Sequence, residues 1–287
     1  MTNSTIAVIG GSGLYEMEGL TDVDEVRLPT PFGEPSDTIV VGSLEGVRIA
    51  FLPRHGRGHR LTPAEVPSRA NIYALKTLGV ERIISVSAVG SLRADIRPLD
   101  LVVPDQLVDR TAGRPSTFFG RGLVAHVGFA DPFCSELSGL LHQAAAETDR
   151  TVHLGSTCVV IEGPAFSTKA ESLLYRSWGA DIIGMTALPE AKLAREAEIC
   201  YATLACVTDY DVWHETEEAV NVAMVVANLL SNVAVAKEVI RSVAPSIPVE
   251  RSCACRNALA DAIITNREAI PEGVRQDLAP LVRKYLG

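Results

Sequence analysis

The chain has 287 residues, 47% of them hydrophobic and 21% charged, with a formal net charge of −9. That balance is ordinary for a globular protein and excludes nucleic-acid backbones and anionic membrane surfaces as main partners, so an anionic ligand must be met by a local cluster of donors. No apolar run approaches the roughly 18 residues of a membrane span, and the first five residues lack the basic and apolar regions of a signal peptide, which predicts a cytoplasmic protein.

Residues 5–9 form a short β-type run that enters Gly10, Gly11, Ser12 and Gly13. Residues 38–41 and 47–52 read as a hairpin across residues 42–46. Residues 63–79 predict a helix, with Ala70, Tyr73, Ala74 and Leu78 apolar and a glycine at its end. A strand over 82–88 runs into Val89, Gly90 and Ser91, and another over 99–104 precedes a polar, glycine-containing segment, 109–128. A helix over 132–148 leads to a strand over 152–161. Residues 169–178 give a helix closed by Gly179, 182–185 a short apolar run, and 188–197 a helix with Pro189 in its first turn, where proline is tolerated. Residues 202–207 read as a buried strand of about six residues, and a long helix over 216–243 stops before Pro245. Two further amphipathic segments, 252–265 and 271–285, carry an apolar stripe (Leu259, Ile263, Val274, Leu278, Leu281, Val282). The order predicts an α/β fold. Residues 1–250 make a single domain with a mixed, largely buried central β-sheet flanked by helices. Residues 251–287 make a helical C-terminal extension that packs on the domain or on a neighbouring subunit.

Chemistry concentrates where strands end. In an open α/β sheet, ligands sit outside the carboxyl ends of the strands. The strand over 202–207 ends in Asp209 and Asp211, which in extended chain share a side roughly 7 Å apart. Two acids there read a polar ligand edge or exchange a proton at a raised pKa; the plain alternative is a turn whose aspartate caps the next helix. The glycine-rich turn at 10–13 lacks the spacing of a dinucleotide fingerprint, because Glu16 stands where a third glycine is needed. What remains are backbone N–H groups and the Ser12 hydroxyl, able to approach an oxyanion. Arg54 offers a planar fork suited to phosphate and His55 a further donor. Residues 85–91 add a hydroxyl and loop amides. Together these strand ends make a phosphate pocket with no compensating acid. Phe166 is core or a stacking platform, and Met185 is by default gap-filling core.

No metal site is expected. The two glycines between His55 and His59 argue against the helix that would align them as ligands. Cys253 and Cys255 form the one close cysteine pair, without a second pair or a nearby histidine. Cys158, Cys200 and Cys206 read as core thiols. A redox or intersubunit role for Cys253 and Cys255 stays open.

Eight stretches carry a resemblance: IGGSGLY (9–15), TPFGEPSD (30–37), PRHGRGH (53–59), RANIYALK (69–76), SAVGSLR (87–93), IEGPAFST (161–168), ESLLYRSWGADIIGMTALPEA (171–191) and TDYDVWHE (208–215). In this order the chain resembles the 5′-methylthioadenosine phosphorylases of the trimeric purine nucleoside phosphorylase family, from residue 5 to about 240. The resemblance implies a purine nucleoside phosphorylase-like fold and a phosphate site of Ser12, Arg54, His55, Ser87, Ala88 and Thr186. It implies Phe166 beside the base, Met185 under the ribose, and Ser167, Asp209 and Asp211 at the purine N7 and 6-amino edge, with Asp209 catalytic. His59, Val222, Val225 and Val226 would shape the 5′-substituent pocket, with His126 reaching it from the neighbouring subunit of a homotrimer or dimer of trimers. Ser12 and Ser87 replace the threonine of animal members and keep the hydroxyl. Gly184 stands for their asparagine and Val89 for their cysteine.

The implied reaction converts 5′-methylthioadenosine and phosphate into adenine and 5-methylthioribose 1-phosphate, with inorganic phosphate as co-substrate and no cofactor. A phosphorylase for 6-oxopurine nucleosides or methylthioinosine is the alternative that the two aspartates oppose, because a 6-oxo group would present them a lone pair. Another 5′-substituted 5′-deoxyadenosine remains compatible. A non-catalytic nucleoside sensor would have lost a phosphate donor or Asp209, and a hydrolase would not need the oxyanion cluster.

Overall fold

The computed structural model describes residues 5–11, 13–14, 16–214 and 222–287, with the backbone alone over 222–225. Its first strand, β1 (Ile6–Gly10), is buried at every residue. β2 (Thr21–Val26), β3 (Ile39–Leu44) and β4 (Val47–Pro53) follow, then helix α1 (Ser68–Thr77). β3 and β4 pair antiparallel with Leu44 opposite Val47, so the turn of this hairpin is Glu45 and Gly46, tighter than the sequence predicts. β2 was not predicted, because its Thr21, Asp22, Asp24 and Glu25 give no apolar alternation. It is an exposed edge strand held by pairing to β3, and charge on such an edge blocks further pairing.

β5 (Arg82–Ser91), β6 (Leu101–Val103), β7 (Gln106–Arg110) and helix α2 (Ser135–Ala146) come next. Between the strand expected to end at residue 104 and the polar segment 109–128 thus stands another strand, β7, which takes in the first two residues of that segment and pairs parallel to β9 (Thr157–Ile161). Before β9 stands β8 (Val152–Leu154); Gly155 and Ser156 divide what reads as one strand in the sequence. Helix α3 (Lys169–Ser177) opens with a capping box between Thr168 and Glu171. β10 (Ile182–Gly184), helix α4 (Ala187–Glu196), β11 (Cys200–Asp209) and helix α5 (Val222–Ser246) complete the main body. α5 continues past Pro245 rather than stopping before it. Of the two C-terminal segments, 252–265 is a chain of turns with a short 3-10 turn at Ala254–Asn257. The second forms α6 (Glu272–Asp277) and α7 (Ala279–Leu286).

The strands form one mixed sheet of eleven among the described residues. Its centre is β5, which pairs with three others. Arg82–Ser85 lie beside β1, the stretch from Arg82 lies beside β11 on the other edge, and Gly90 and Ser91 lie beside β10. β1 has left before β10 arrives. Among the described residues, 86–89 therefore have no strand partner on that edge, which leaves backbone groups there to partners outside the sheet. The sheet is split where the candidate site lies.

Apolar residues fill both faces. One cluster takes in Ile9, Leu52, Tyr73, Leu188 and Val207, together with Leu259, Val274, Leu278, Leu281 and Val282 of the C-terminal segment. That stripe packs on its own chain, and Tyr73 donates from its hydroxyl to the Asp277 carbonyl at 2.7 Å. The other cluster joins Val8, Phe51, Ile84 and Leu204 to Val235, Val239 and Val243 of α5.

Candidate active site

A cavity of about 340 Å3 opens at the split in the sheet. It is lined by Arg54, His55, Ser87, Ala88 and Thr186, and also by Phe166, Ser167, Met185, Asp209, Asp211 and His59. Residues from five separate stretches of sequence thus converge on one volume. Ser12 lies outside the described residues, as do the side chains of Val222 and Val225. Val226 is 46% exposed and is not among the lining residues. Helix α5 faces the cavity with Leu229, Asn232 and Val233 instead, one and two turns further along the same face. His126 is exposed and does not line this chain's cavity.

Arg54 follows directly on β4, and its fork is not free. Nε donates to Glu190 Oε1 at 2.5 Å and Nη2 to Glu190 Oε2 at 3.1 Å; Nη2 also reaches Ser85 Oγ at 2.7 Å. Nη1 donates to the Val86 carbonyl at 2.9 Å, capping one of the strand groups left over by the split. The pair is deeply buried, with Arg54 2% and Glu190 1% exposed, and the Tyr201 hydroxyl donates to Glu190 at 3.0 Å. The expectation of a pocket without a compensating acid is therefore corrected. A burial this complete requires a counter-ion, and Glu190 provides it from 136 residues away in sequence.

His55 also departs from its expected role. Its Nδ1 lies 2.9 Å from the Leu61 carbonyl, so Nδ1 carries the proton and donates. Burial, with Arg54 beside it, lowers its pKa to about 4. Near neutral pH the imidazole is uncharged and Nε2 is an acceptor, matched to a phosphate hydroxyl rather than to a bare oxyanion. His59 stacks on it with ring centroids 4.4 Å apart. The neutral hydroxyls of Ser87, within β5, and Thr186, just past β10, touch each other at 3.0 Å.

At the end of β11 the chemistry inverts. Asp209 is the last residue of the strand and Asp211 takes a left-handed backbone, φ +53°, so the two acids are not on one extended face. A tight turn forms instead: the Asp211 N–H donates to Asp209 Oδ1 at 2.8 Å, and the Thr208 hydroxyl to Oδ2 at 2.7 Å. Both carboxyls are buried, and burial raises both pKa values. Asp211 Oδ2, Ser167 Oγ and Asn232 Oδ1 are buried without a hydrogen-bond partner among the described residues. Two of the three can only accept, which fits a ligand edge bearing N–H groups. Phe166 is 46% exposed, which excludes the core reading and leaves its ring as a wall of the cavity.

Several residues that position these groups were missed. Asn228 and Asn232 donate from α5 to the Thr208 and Val207 carbonyls, at 2.6 and 3.1 Å, fixing the strand end. Arg114 ties the end of β9 to the start of α4, donating to Glu162 Oε2 at 2.9 Å and to the Met185 and Leu188 carbonyls at 2.7 and 2.8 Å. Gly90 allows a close approach: a Cβ there would lie 2.9 Å from Asp209 Oδ1. The two departures at 89 and 184 meet each other, since a Cβ on Gly184 would lie 3.2 Å from Val89 Cγ1. Sequence signals for these were faint, although an asparagine pair four apart on an apolar helix marks a buried polar face.

Comparison with known proteins accords with this geometry. The family model described as phosphorylase superfamily matches residues 5–244. The S-methyl-5′-thioadenosine phosphorylase of Geobacter sulfurreducens is 58% identical over 282 residues, covering 98% of this chain and 99% of the relative. That of Koribacter versatilis is 57% identical, covering 98% and 97%. A crystal structure of a methylthioadenosine phosphorylase from an antarctic soil metagenomic library superposes with a TM-score of 0.94 at 53% identity, covering 98% of this chain and all of that one. The Schistosoma mansoni methylthioadenosine phosphorylase in complex with adenine gives 0.83 at 37% identity, covering 90% and 98%. With its split sheet, its cavity and these likenesses, the chain belongs to the phosphorylase superfamily.

Proposed function

We propose that the chain is a pentosyl transferase that cleaves the N-glycosidic bond of 5′-methylthioadenosine with phosphate, giving adenine and 5-methylthioribose 1-phosphate. The observation that carries the reading is the joining, in one cavity, of uncharged oxyanion ligands at β4, β5 and β10 with two buried aspartates at β11. The full-length likeness to proteins named for this activity supports it.

Bond cleavage develops positive charge on the sugar. Phosphate held by Ser87, Thr186, the amides around Ala88 and the remaining Nη1 hydrogen of Arg54 stabilises that charge and attacks C1′. His55 accepts the phosphate hydroxyl, which turns the unprotonated oxygens toward the sugar. Ser12 completes this set by resemblance. The leaving adenine gathers negative charge at N7. Asp209, raised in pKa by burial, holds a proton for it, while Asp211 and Ser167 orient the 6-amino edge. Met185 lies under the ribose and Phe166 beside the base. His59 and the α5 face close the 5′ end, with His126 entering from a neighbour.

No cofactor takes part in this scheme; phosphate is a co-substrate. We place the protein in the cytoplasm as a homotrimer or dimer of trimers. Exposed His126, and exposed Leu173, Leu174 and Trp178 on and after α3, support a subunit interface. No helix among the described residues is long and apolar enough to cross a membrane.

Base choice is tested by purine release from methylthioadenosine beside inosine and methylthioinosine. Preferential release of adenine is expected. Equal or faster cleavage of the 6-oxo compounds would remove Asp209 and Asp211 from base selection.

A further inference from the structure

The chain brings four cysteines together far from the cavity. Cys134 stands just before the first turn of α2, Cys200 begins β11, and Cys253 and Cys255 flank Ala254 at the 3-10 turn of the C-terminal segment. All four sulfurs lie within 4.8 Å of one another. Cys134, Cys200 and Cys255 are buried and Cys253 is half-buried. The expectation that Cys253 and Cys255 lack a second pair is thereby corrected, while Cys200 is the core thiol that its apolar run predicts and also stands in this cluster.

We propose that these four sulfurs form a tetrahedral thiolate site for a divalent zinc-like ion that staples the C-terminal segment to the sheet.

A zinc–sulfur distance of about 2.3 Å places tetrahedral ligand sulfurs roughly 3.8 Å apart. The cluster reaches that spacing with side-chain adjustments on the order of 1 Å. The nearest pair, Cys200 and Cys253, is 3.3 Å apart, a thiol contact well beyond the roughly 2.05 Å of a disulfide. Ligation replaces up to four thiol protons with one divalent ion, leaving a complex of net charge −2. Two features favour the thiolate form. Cys134 stands at a helix N-terminus, where partial positive charge stabilises a sulfur anion. Arg251 and Arg256 flank the Cys253–Cys255 pair in sequence, and Arg251 Nη1 is fixed on the Glu198 carbonyl at 2.7 Å.

The consequence reaches the proposed subunit contact. Beyond the cluster, the Cys253–Cys255 segment runs on to Ala262 and Ile264. The Ala262 carbonyl accepts the His126 N–H at 2.8 Å, and the Ile264 N–H donates to the Val124 carbonyl at 3.1 Å. A staple at the cysteines therefore also steadies the loop that carries His126. The site is structural: Cys200 and Asp209 stand at opposite ends of β11, on the order of 30 Å apart at the usual strand rise.

The test is metal content of the full chain, produced with zinc and purified under reducing conditions, beside a C253S/C255S variant. About one zinc per wild-type chain is expected, absent from the variant. Cobalt loaded in its place should give the thiolate charge-transfer and intense visible bands of a four-sulfur tetrahedral site. Amide exchange over residues 123–127 should quicken when metal is withdrawn. If the variant fails to fold, the cobalt spectrum and chelation of the wild type decide the matter alone. No metal under zinc-replete reducing conditions, undiminished zinc in the variant, or an intact mass lighter by paired hydrogens and mapped to disulfides would each overturn the site.

Discussion

The two ends of the cavity solve opposite electrostatic problems. At the proposed phosphate end the strong cation that lines the cavity among the described residues, Arg54, is neutralised in advance by Glu190, and His55 is held uncharged. A phosphate there meets hydroxyls, amides and an acceptor nitrogen rather than a net positive pocket. At the proposed base end two carboxyls are buried without a cation bonded to either among the described residues, and burial raises both. Strong binding of the anion would slow release of the sugar phosphate, whereas a proton-bearing carboxyl is what a leaving purine needs. Charge is cancelled where the nucleophile must stay reactive and left uncompensated where a proton must move.

The sharpest way to break this comparison is at Asp209. Asp209→Asn removes the exchangeable proton and should lower turnover by about 10^2–10^4-fold, while heat stability is kept or raised because no charge is buried. Full activity in the variant would end the proton role.

At the other end, Glu190→Ala strands a buried guanidinium and should cost about 3–5 kcal/mol in denaturant unfolding. Arg54→Met with Glu190→Leu together should restore much of that loss, because apolar replacement of both partners is tolerated. In that double variant, the shift in phosphate saturation measures what the remaining Arg54 hydrogen contributes. A double variant as unstable as the single one would mean that the pair acts through something other than buried charge.

Gly90→Ala separates the two ends without touching charge. Its Cβ would press on Asp209 Oδ1 and on Ile183 Cγ2, at 2.9 and 3.1 Å. A displacement on the order of 1 Å should reduce turnover about 100-fold and leave phosphate saturation little changed. A smaller effect is expected where the departures meet. Gly184→Asn alone should crowd Val89, and Val89→Cys should relieve it, with a coupling of about 0.5–3 kcal/mol in a double-mutant cycle.

Acidity gives the mildest contrast, and the signs oppose each other. His55 has its folded pKa lowered to about 4, so its contribution is present above about 6.5 and is lost as pH falls through 4. Asp209 and Asp211 have raised values, so their contribution is present below about 3.9 and is lost as pH rises through the folded values. Stability curves of His55→Gln and Asp209→Asn should therefore differ from wild type with opposite slopes. Equal slopes would contradict the assignment.

Most of the cavity was legible in the chain because its residues sit at strand ends, and strand ends are marked by local apolar runs. Asp209 and Asp211 stood out for that reason, as did Arg54 directly after β4; Ser87 lies inside β5, which runs on to Ser91. The left-handed turn at Asp211 was not legible, since a two-residue period assumes extended backbone. Glu190 was missed because a glutamate on a helix reads as solvated until a partner 136 residues away is known. Cys134 and Cys200 were missed as partners of Cys253 for the same reason: no local period records a long-range convergence. β2 and β7 escaped because their pattern is polar and their pairing alone makes them strands.

The central claim is that phosphate, not water, takes the sugar. It is tested most directly by 31P nuclear magnetic resonance of the enzyme with methylthioadenosine and phosphate, followed beside adenine release. The account predicts a new sugar 1-phosphate signal growing in step with adenine, and no adenine release when phosphate is omitted. Adenine released at full rate without phosphate, with no phosphorus signal appearing, would contradict it.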